Sequence, residues 1–236
     1  MFVYIDLEHD NLKKDPAAWE RSLARRLRHK YEMEELSGES CLIIRYTRAN
    51  PELLEEIGAN AIVISGCFTD YKHYNEESLA GLRAIYHEKR LPTLGICAGF
   101  QLMAQTFGAE IGPIGKRAAG DETPRSSFDL PEFNPSLNQE RGFTIVDICG
   151  THPLVEGLGP QAQFFQAHYW EVKGLPKNFE CLARNDISEI QAIGHQDRPL
   201  FGVQFHPTIH DKRHPDGRTL LKNFFHHFLI GSKNGP

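Results

Sequence analysis

Apolar residues recur along the first hundred positions in two alternating rhythms. Short runs rich in β-branched and aromatic residues, over 2–6, 41–46, 61–65 and 91–96, read as strands. Between them the apolar spacing lengthens to three or four, which predicts helices over about 16–36, 51–57, 76–89 and 98–107. In the first of these, Trp19, Leu23, Leu27 and Tyr31 return every fourth residue and predict one buried stripe. The basic cluster on the same segment, with Arg25, Arg26 and Arg28, reads as its solvated face. In the third helix Leu79, Leu82, Ile85 and Tyr86 share a side. Strands alternating with helices predict an α/β fold with an open, mainly parallel sheet, helices on both faces and sites at the strands' carboxyl ends.

The rhythm breaks over 116–140, where proline, serine and charged residues predict a long surface loop or lid inserted into a single domain spanning 1–236. Beyond it the chain turns strand-rich, over 143–149, 162–167, 170–173, 179–183, 190–194 and 200–205, and predicts a smaller antiparallel portion. A last helix over 217–230 turns Leu220, Leu221, Phe224, Phe225 and Phe228 toward the core.

Composition narrows the class. Hydrophobic residues at 40% and charged residues at 24% supply a globular core, and 26 basic against 31 acidic residues leave no footprint for nucleic acid. Five scattered cysteines, without metal-like or disulfide-like spacing, point to a reducing compartment. No basic leader opens the chain and no apolar run reaches the roughly 18 residues of a membrane span, so a cytoplasmic protein without a membrane partner is expected. His206, His210, Asp211 and His214 are better explained as a polar loop than as a zinc set, and neither metal nor cofactor is expected.

The chemistry concentrates at two strand ends. Gly95-Ile96-Cys97-Ala98-Gly99 places a thiol on a glycine-flanked turn between strand and helix, the arrangement of a nucleophile elbow. The helix N-terminus behind it is expected to favour the thiolate. Gly202-Val203-Gln204-Phe205-His206-Pro207 delivers an imidazole at the end of another strand, on the same expected sheet edge. Gly66, at a third strand end, together with the Ala98 N–H, is a candidate oxyanion pair.

These segments together resemble the class I, triad-type glutamine amidotransferases, over most of the chain. The pattern is closest to the amidotransferase domain of GMP synthetase, with γ-glutamyl hydrolases as relatives. The resemblance implies that Cys97 is a nucleophile forming a γ-glutamyl thioester, His206 its base, and Gly66 and Ala98 the oxyanion donors. Gln101 and the segment His168-Tyr169-Trp170 then match substrate-binding positions. It implies glutamine or a related γ-glutamyl amide as substrate, with ammonia passed to a separate synthetase.

One position departs from the pattern at its centre. The family has glutamate two residues after the histidine, and here it is Thr208. A hydroxyl accepts a hydrogen bond but carries no charge, and Asp211 is the candidate substitute acid. Cys67 and Tyr169 stand where the family commonly has glycine. Two functions follow: a Cys–His amidohydrolase with an altered triad, or a catalytically silent relative that binds and regulates.

Overall fold

A computed structural model describes residues 1–115, 118–119 and 138–230. The excursion expected over 116–140 therefore lies almost wholly outside the described residues. The first strands are β1 (Phe2–Asp6), β2 (Cys41–Arg45), β3 (Ile62–Ile64) and β4 (Thr93–Ile96). Between them run helices α1 (Pro16–Ser37), α2 (Pro51–Glu56) and α3 (Glu76–Glu88), and α4 (Ala98–Thr106) follows β4. The second half carries β5 (Ile111–Pro113), β6 (Ala118–Ala119), β7 (Glu140–Ile148), β8 (Gln161–His168), β9 (Trp170–Val172), β10 (Phe179–Arg184), β11 (Ala192–His195) and β12 (Leu200–Val203). Helix α5 (Asp216–Asn223) continues into wider, π-type turns over Phe224–Ile230.

The main sheet runs β2-β1-β3-β4-β12-β11-β10-β7-β6, with β8 paired to β7. From β2 to β12 every pairing is parallel, and from β12 through β11 and β10 to β7 and β8 it is antiparallel. The short β5 and β9 form a separate antiparallel pair. The predicted mixed α/β architecture is thus present, with β12 at the junction of its two halves. The parallel strands β1, β3, β4 and β12 are buried along their length, as a sheet covered on both faces requires. Phe2, Phe201 and Phe205 pack with Leu220, Leu221, Phe224 and Phe225 on one face, and Ile5, Ile64 and Leu200 pack with Leu82, Ile85, Phe100 and Met103 on the other.

Helix α1 departs from expectation. Its boundaries have clear local causes: Asp15 caps the first turn through Ala18 N–H (3.1 Å), Pro16 opens it, and Gly38 closes it at φ 65°. Its orientation is the reverse of the predicted one. Leu23, Leu27 and Tyr31 are 43%, 48% and 63% exposed, while Ser22, Arg25, Arg26, His29 and Met33 face inward. The cause is electrostatic. Asp6 and Glu8, at and just beyond the end of β1, are buried, and Arg26 Nε meets Asp6 Oδ1 at 2.8 Å. Leaving a buried carboxylate without a cation costs more than burying two leucines would return.

Candidate active site

Cys97 stands at the junction of β4 and α4 with φ 52° and ψ −110°, a positive-φ conformation rarely adopted outside glycine. Its N–H is fixed by Val203 O at 2.8 Å, and its C=O accepts from Gln101 N at 2.9 Å, so strand and helix both hold the turn. The glycines on either side are steric requirements. A Cβ on Gly95 would lie 2.9 Å from the Gly99 carbonyl carbon, and one on Gly99 would lie 2.7 Å from Ile64 O. Strain at this turn is the usual means of projecting a nucleophile.

His206 follows β12 and is held from β8 by its own N–H to Phe165 O at 2.8 Å. Phe205 stacks on Phe164 at 3.8 Å between ring centres, fixing that segment from below. A Cβ placed on Gly66 would lie 3.6 Å from Cys97 Sγ and 3.3 Å from His206 Cε1. Thiol and imidazole therefore converge on one point of the sheet edge, and the absent side chain at Gly66 leaves that point open.

The sulfur lines a cavity of about 240 Å³, together with Cys67, Phe68, Thr69, Asp70, Tyr71, Lys72, Ala98, Gln101, Ala167, His168, Tyr169 and Trp170. All four positions predicted to bind substrate are in this wall. Gln101 has its amide tied: Nε2 donates to Trp170 O (2.8 Å) and Gln204 Oε1 (3.0 Å). His168 Nδ1 lies 2.9 Å from Trp170 O and Nε2 lies 3.2 Å from Glu140 Oε2. Tyr169 donates its hydroxyl to Asp70. The cavity thus has Asp70 and Lys72 as charged groups beside an apolar Trp170.

Burial dominates the protonation of the pair. It pushes the Cys97 thiol up to about 12, against the lowering effect of the Ala98 N–H. The expectation of a resting thiolate is corrected on this ground: desolvation outweighs the helix terminus. His206 is pushed down to about 3 by burial, reinforced by His168, Arg25 and Arg26. Both groups rest neutral.

The third member of the triad is where sequence and structure part. Thr208 is buried at 6% exposure beside His206. His206 Nε2 is buried with no hydrogen-bond partner among the described residues. Asp211 is not the substitute acid. Its Oδ1 accepts from Arg213 N (2.8 Å), His214 N (2.9 Å) and His214 Nδ1 (3.0 Å), all within its own turn. His210 pairs with Glu32 and His214 stacks on Phe143, so the histidines after β12 are dispersed among separate partners. Among the described residues no cluster suited to a metal ion is found.

Several supporting residues carried no sequence signal of their own. Glu8 accepts from Phe68 N (2.9 Å), Thr69 N (3.2 Å) and Thr69 Oγ1 (2.8 Å), and so anchors the loop after β3. Ser65 Oγ donates to Gly66 O at 2.8 Å, which turns the following Cys67 N–H the opposite way. Gln204 Nε2 lies 3.7 Å from Cys97 Sγ. Glu140 accepts from Thr144 (2.6 Å), Asn185 (2.6 Å) and Gln191 (2.9 Å), and its hydrogen-bond partners, His168 first, hold its carboxyl below its usual value although burial opposes its charge. A buried acid fixed by the strand register is legible only after the strands are paired.

The pattern of the family described as glutamine amidotransferase class-I matches residues 20–228. The glutamine-hydrolysing GMP synthase subunit of Methanothermobacter thermautotrophicus is 32% identical over 135 residues, covering 57% of this chain and 60% of that protein. The same-named protein of Methanococcoides burtonii is 37% identical over 136 residues, covering 57% and 59%. The aligned segments thus span about 60% of the length of these curated relatives. A solved structure from Thermoplasma acidophilum, described as a GMP synthase subunit, superposes with TM-score 0.72 at 20% identity, covering 99% of this chain and 96% of that one. A glutamine amidotransferase from Thermotoga maritima gives TM-score 0.60 at 16% identity, covering 100% and 86%, so both establish a shared fold. With the family pattern extending over nearly the whole chain, from α1 to the turns after α5, this protein belongs to the class I glutamine amidotransferases.

Proposed function

We propose that the chain hydrolyses the side-chain amide of glutamine, or of a close γ-glutamyl compound, through a thioester on Cys97. The observation that carries this is the convergence of Cys97 Sγ and His206 Cε1 within 3.6 Å of one open point at Gly66. The cavity of about 240 Å³ on the sulfur side accommodates an amino acid of glutamine's size.

His206 takes the thiol proton as sulfur attacks the amide carbon, because neither group is ionised at rest. The tetrahedral oxyanion is met by the Ala98 N–H and by the loop peptide at Gly66 and Cys67, each donor worth about 2.7–4 kcal/mol. The imidazolium then protonates the departing nitrogen, and ammonia leaves. Water, deprotonated by His206, cleaves the thioester to glutamate and restores the thiol. Asp70 and Lys72 are ion-paired at 3.2 Å on the cavity wall, and an amino acid's ammonium and carboxylate groups would exchange with that pair. The relatives named as glutamine-hydrolysing GMP synthase subunits support a partner that consumes the ammonia, an ATP-dependent synthetase in a separate chain.

Purified protein incubated with glutamine is expected to release ammonia. Cys97→Ala abolishes it, and a diazoketone analogue of glutamine labels Cys97. Gly66→Ala, whose methyl enters between thiol and imidazole, is expected to fold and lose turnover. The unpartnered Nε2 of His206 favours one other reading, a silent relative that binds glutamine without cleaving it. Binding with neither ammonia release nor labelling supports that reading and overturns the hydrolase.

A further inference from the structure

Gln204, the first residue after β12, is fully buried and tied to the nucleophile's turn. Its neighbour Val203 accepts from Cys97 N at 2.8 Å, and its own N–H donates to Gln191 O at 2.8 Å. The side chain bridges two residues of the site. Its Oε1 accepts from Gln101 Nε2 at 3.0 Å, and its Nε2 lies 3.7 Å from Cys97 Sγ.

Which end of this amide faces the sulfur is fixed by a neighbour that can only accept. Trp170 O lies 2.8 Å from the Gln101 amide, so that end of Gln101 must be its NH2 group. The same nitrogen lies 3.0 Å from Gln204, so that end of Gln204 must be its oxygen. The NH2 group of Gln204 is left facing Sγ. The carbonyl that starts this chain is held in turn by His168 Nδ1 at 2.9 Å, whose other ring nitrogen lies 3.2 Å from the buried Glu140 carboxylate. The orientation at the sulfur thus has a cause that runs back to β7.

A neutral thiol is a weak acceptor, and its contact with the amide is long. Hydrogen bonds to an ionised group are shorter and roughly twice as strong. An N–H so placed therefore gains most when charge gathers on sulfur, which favours the reaction over the resting fold. We propose that Gln204 is a further catalytic residue, donating from Nε2 to Cys97 Sγ and stabilising the negative charge that sulfur carries during the reaction, with Gln101 as the residue that orients it. Sulfur carries that charge twice. It does so as its proton passes to His206, and again as water cleaves the thioester, when the C–S bond breaks with its electron pair on sulfur and the imidazolium returns the proton. The proposal rests on Cys97 as the nucleophile, and its first test does not need glutamine to turn over.

Alkylation of Cys97 by iodoacetamide, followed by mass spectrometry on the full chain at about pH 8, reads the charge on sulfur because the thiolate is the form that reacts. Gln204→Met keeps the length of the side chain and removes the donor. Gln204 is not among the residues lining the cavity, so the reagent's path is left alone. The rate is expected to fall about 10–100-fold, as the loss of a hydrogen bond to a charged group implies. Gln101→Met should slow alkylation more in the native background than in Gln204→Met, where no amide is left to orient. With glutamine, Gln204→Met should lower kcat and kcat/KM together and leave KM near the native value. Alkylation of Gln204→Met within twofold of the native rate overturns the proposal, as does an equal effect of Gln101→Met in both backgrounds. Should Gln204→Met fail to fold, Gln204→Asn, whose amide stops one methylene short of the sulfur, carries the same expectation and the same refutation. Slowed alkylation in a chain that releases no ammonia overturns the hydrolase and leaves the role of Gln204 at the sulfur standing; undiminished ammonia release from Gln204→Met does the reverse.

Discussion

Helices α1 and α5 pack on the same face of the sheet and read alike in sequence, yet only one is oriented as its apolar spacing implies. In α5 and the turns after it, Leu220, Leu221, Phe224 and Phe225 are fully buried. In α1 the apolar stripe is outside and the arginines are inside. The difference lies in what each helix covers. Helix α5 and its continuation meet Phe2, Phe201 and Phe205, a purely apolar surface. Helix α1 crosses the carboxyl end of β1, where Asp6 and Glu8 must be neutralised and His206 stands nearby. A hydrophobic period decides orientation only where nothing charged is buried beneath it.

The largest effects should come from the apolar helix. Phe225→Ala removes a fully buried ring in contact with Phe2, whose centre is 5.0 Å away. A loss of about 3–5 kcal/mol in denaturant unfolding is expected. A loss below about 1 kcal/mol would mean that the turns after α5 do not anchor the sheet.

Slightly smaller, and the sharper contrast, is Arg26→Met. It keeps volume and removes the partner of Asp6, for an expected cost of about 3 kcal/mol. The cost should shrink in Asp6→Asn/Arg26→Met, where the uncompensated carboxylate is gone too. If the single and double variants unfold alike, the inward turn of α1 has another cause than charge.

Most of the architecture was legible. Strands with β-branched runs and helices with three-to-four spacing needed only local information, as did the Cys97 elbow, whose flanking glycines mark the turn in the sequence itself. His206 was legible because strand ends in an open sheet share an edge. The inner face of α1 was not, because Asp6 and Glu8 look like surface residues until β1 is placed in the sheet. Glu140 and Asn185 likewise become partners only once β7, β10 and β11 are paired. Asp211 failed for a simpler reason. Its nearest donors are its own turn, and local hydrogen bonds engage a short side chain before distant ones can.

At the catalytic edge the same contrast predicts a gain. Thr208→Glu places a carboxylate between His206 and the inward-facing arginines of α1. Turnover of glutamine is expected to rise about 10–100-fold, less than the roughly 10⁴ a serine enzyme loses without its acid. The pH profile should change with it. With thiol and imidazole both neutral, the proton passes within the pair and the rate should be nearly flat through neutrality, between about 3 for His206 and about 12 for Cys97. With the carboxylate of Thr208→Glu in place, His206 holds a proton more readily and the acid limb of the profile should move to higher pH. An unmoved acid limb and no gain would show that the arginines hold the new carboxylate away from the imidazole.

The smallest effect is the most direct test of the helix comparison. Leu27 occupies the centre of the stripe that its spacing assigns to the core, and it is 48% exposed. Leu27→Gln keeps helix propensity almost unchanged, so any cost reports burial. Were the stripe buried, removing such a leucine would cost about 2–5 kcal/mol, as for core positions generally. With the stripe outward, the change should fall within about 0.5 kcal/mol in denaturant unfolding, the range of ordinary surface substitutions. Leu23→Gln, at 43% exposure, should behave the same way. A large loss at both positions would place the stripe against the sheet and would remove the arginines from His206.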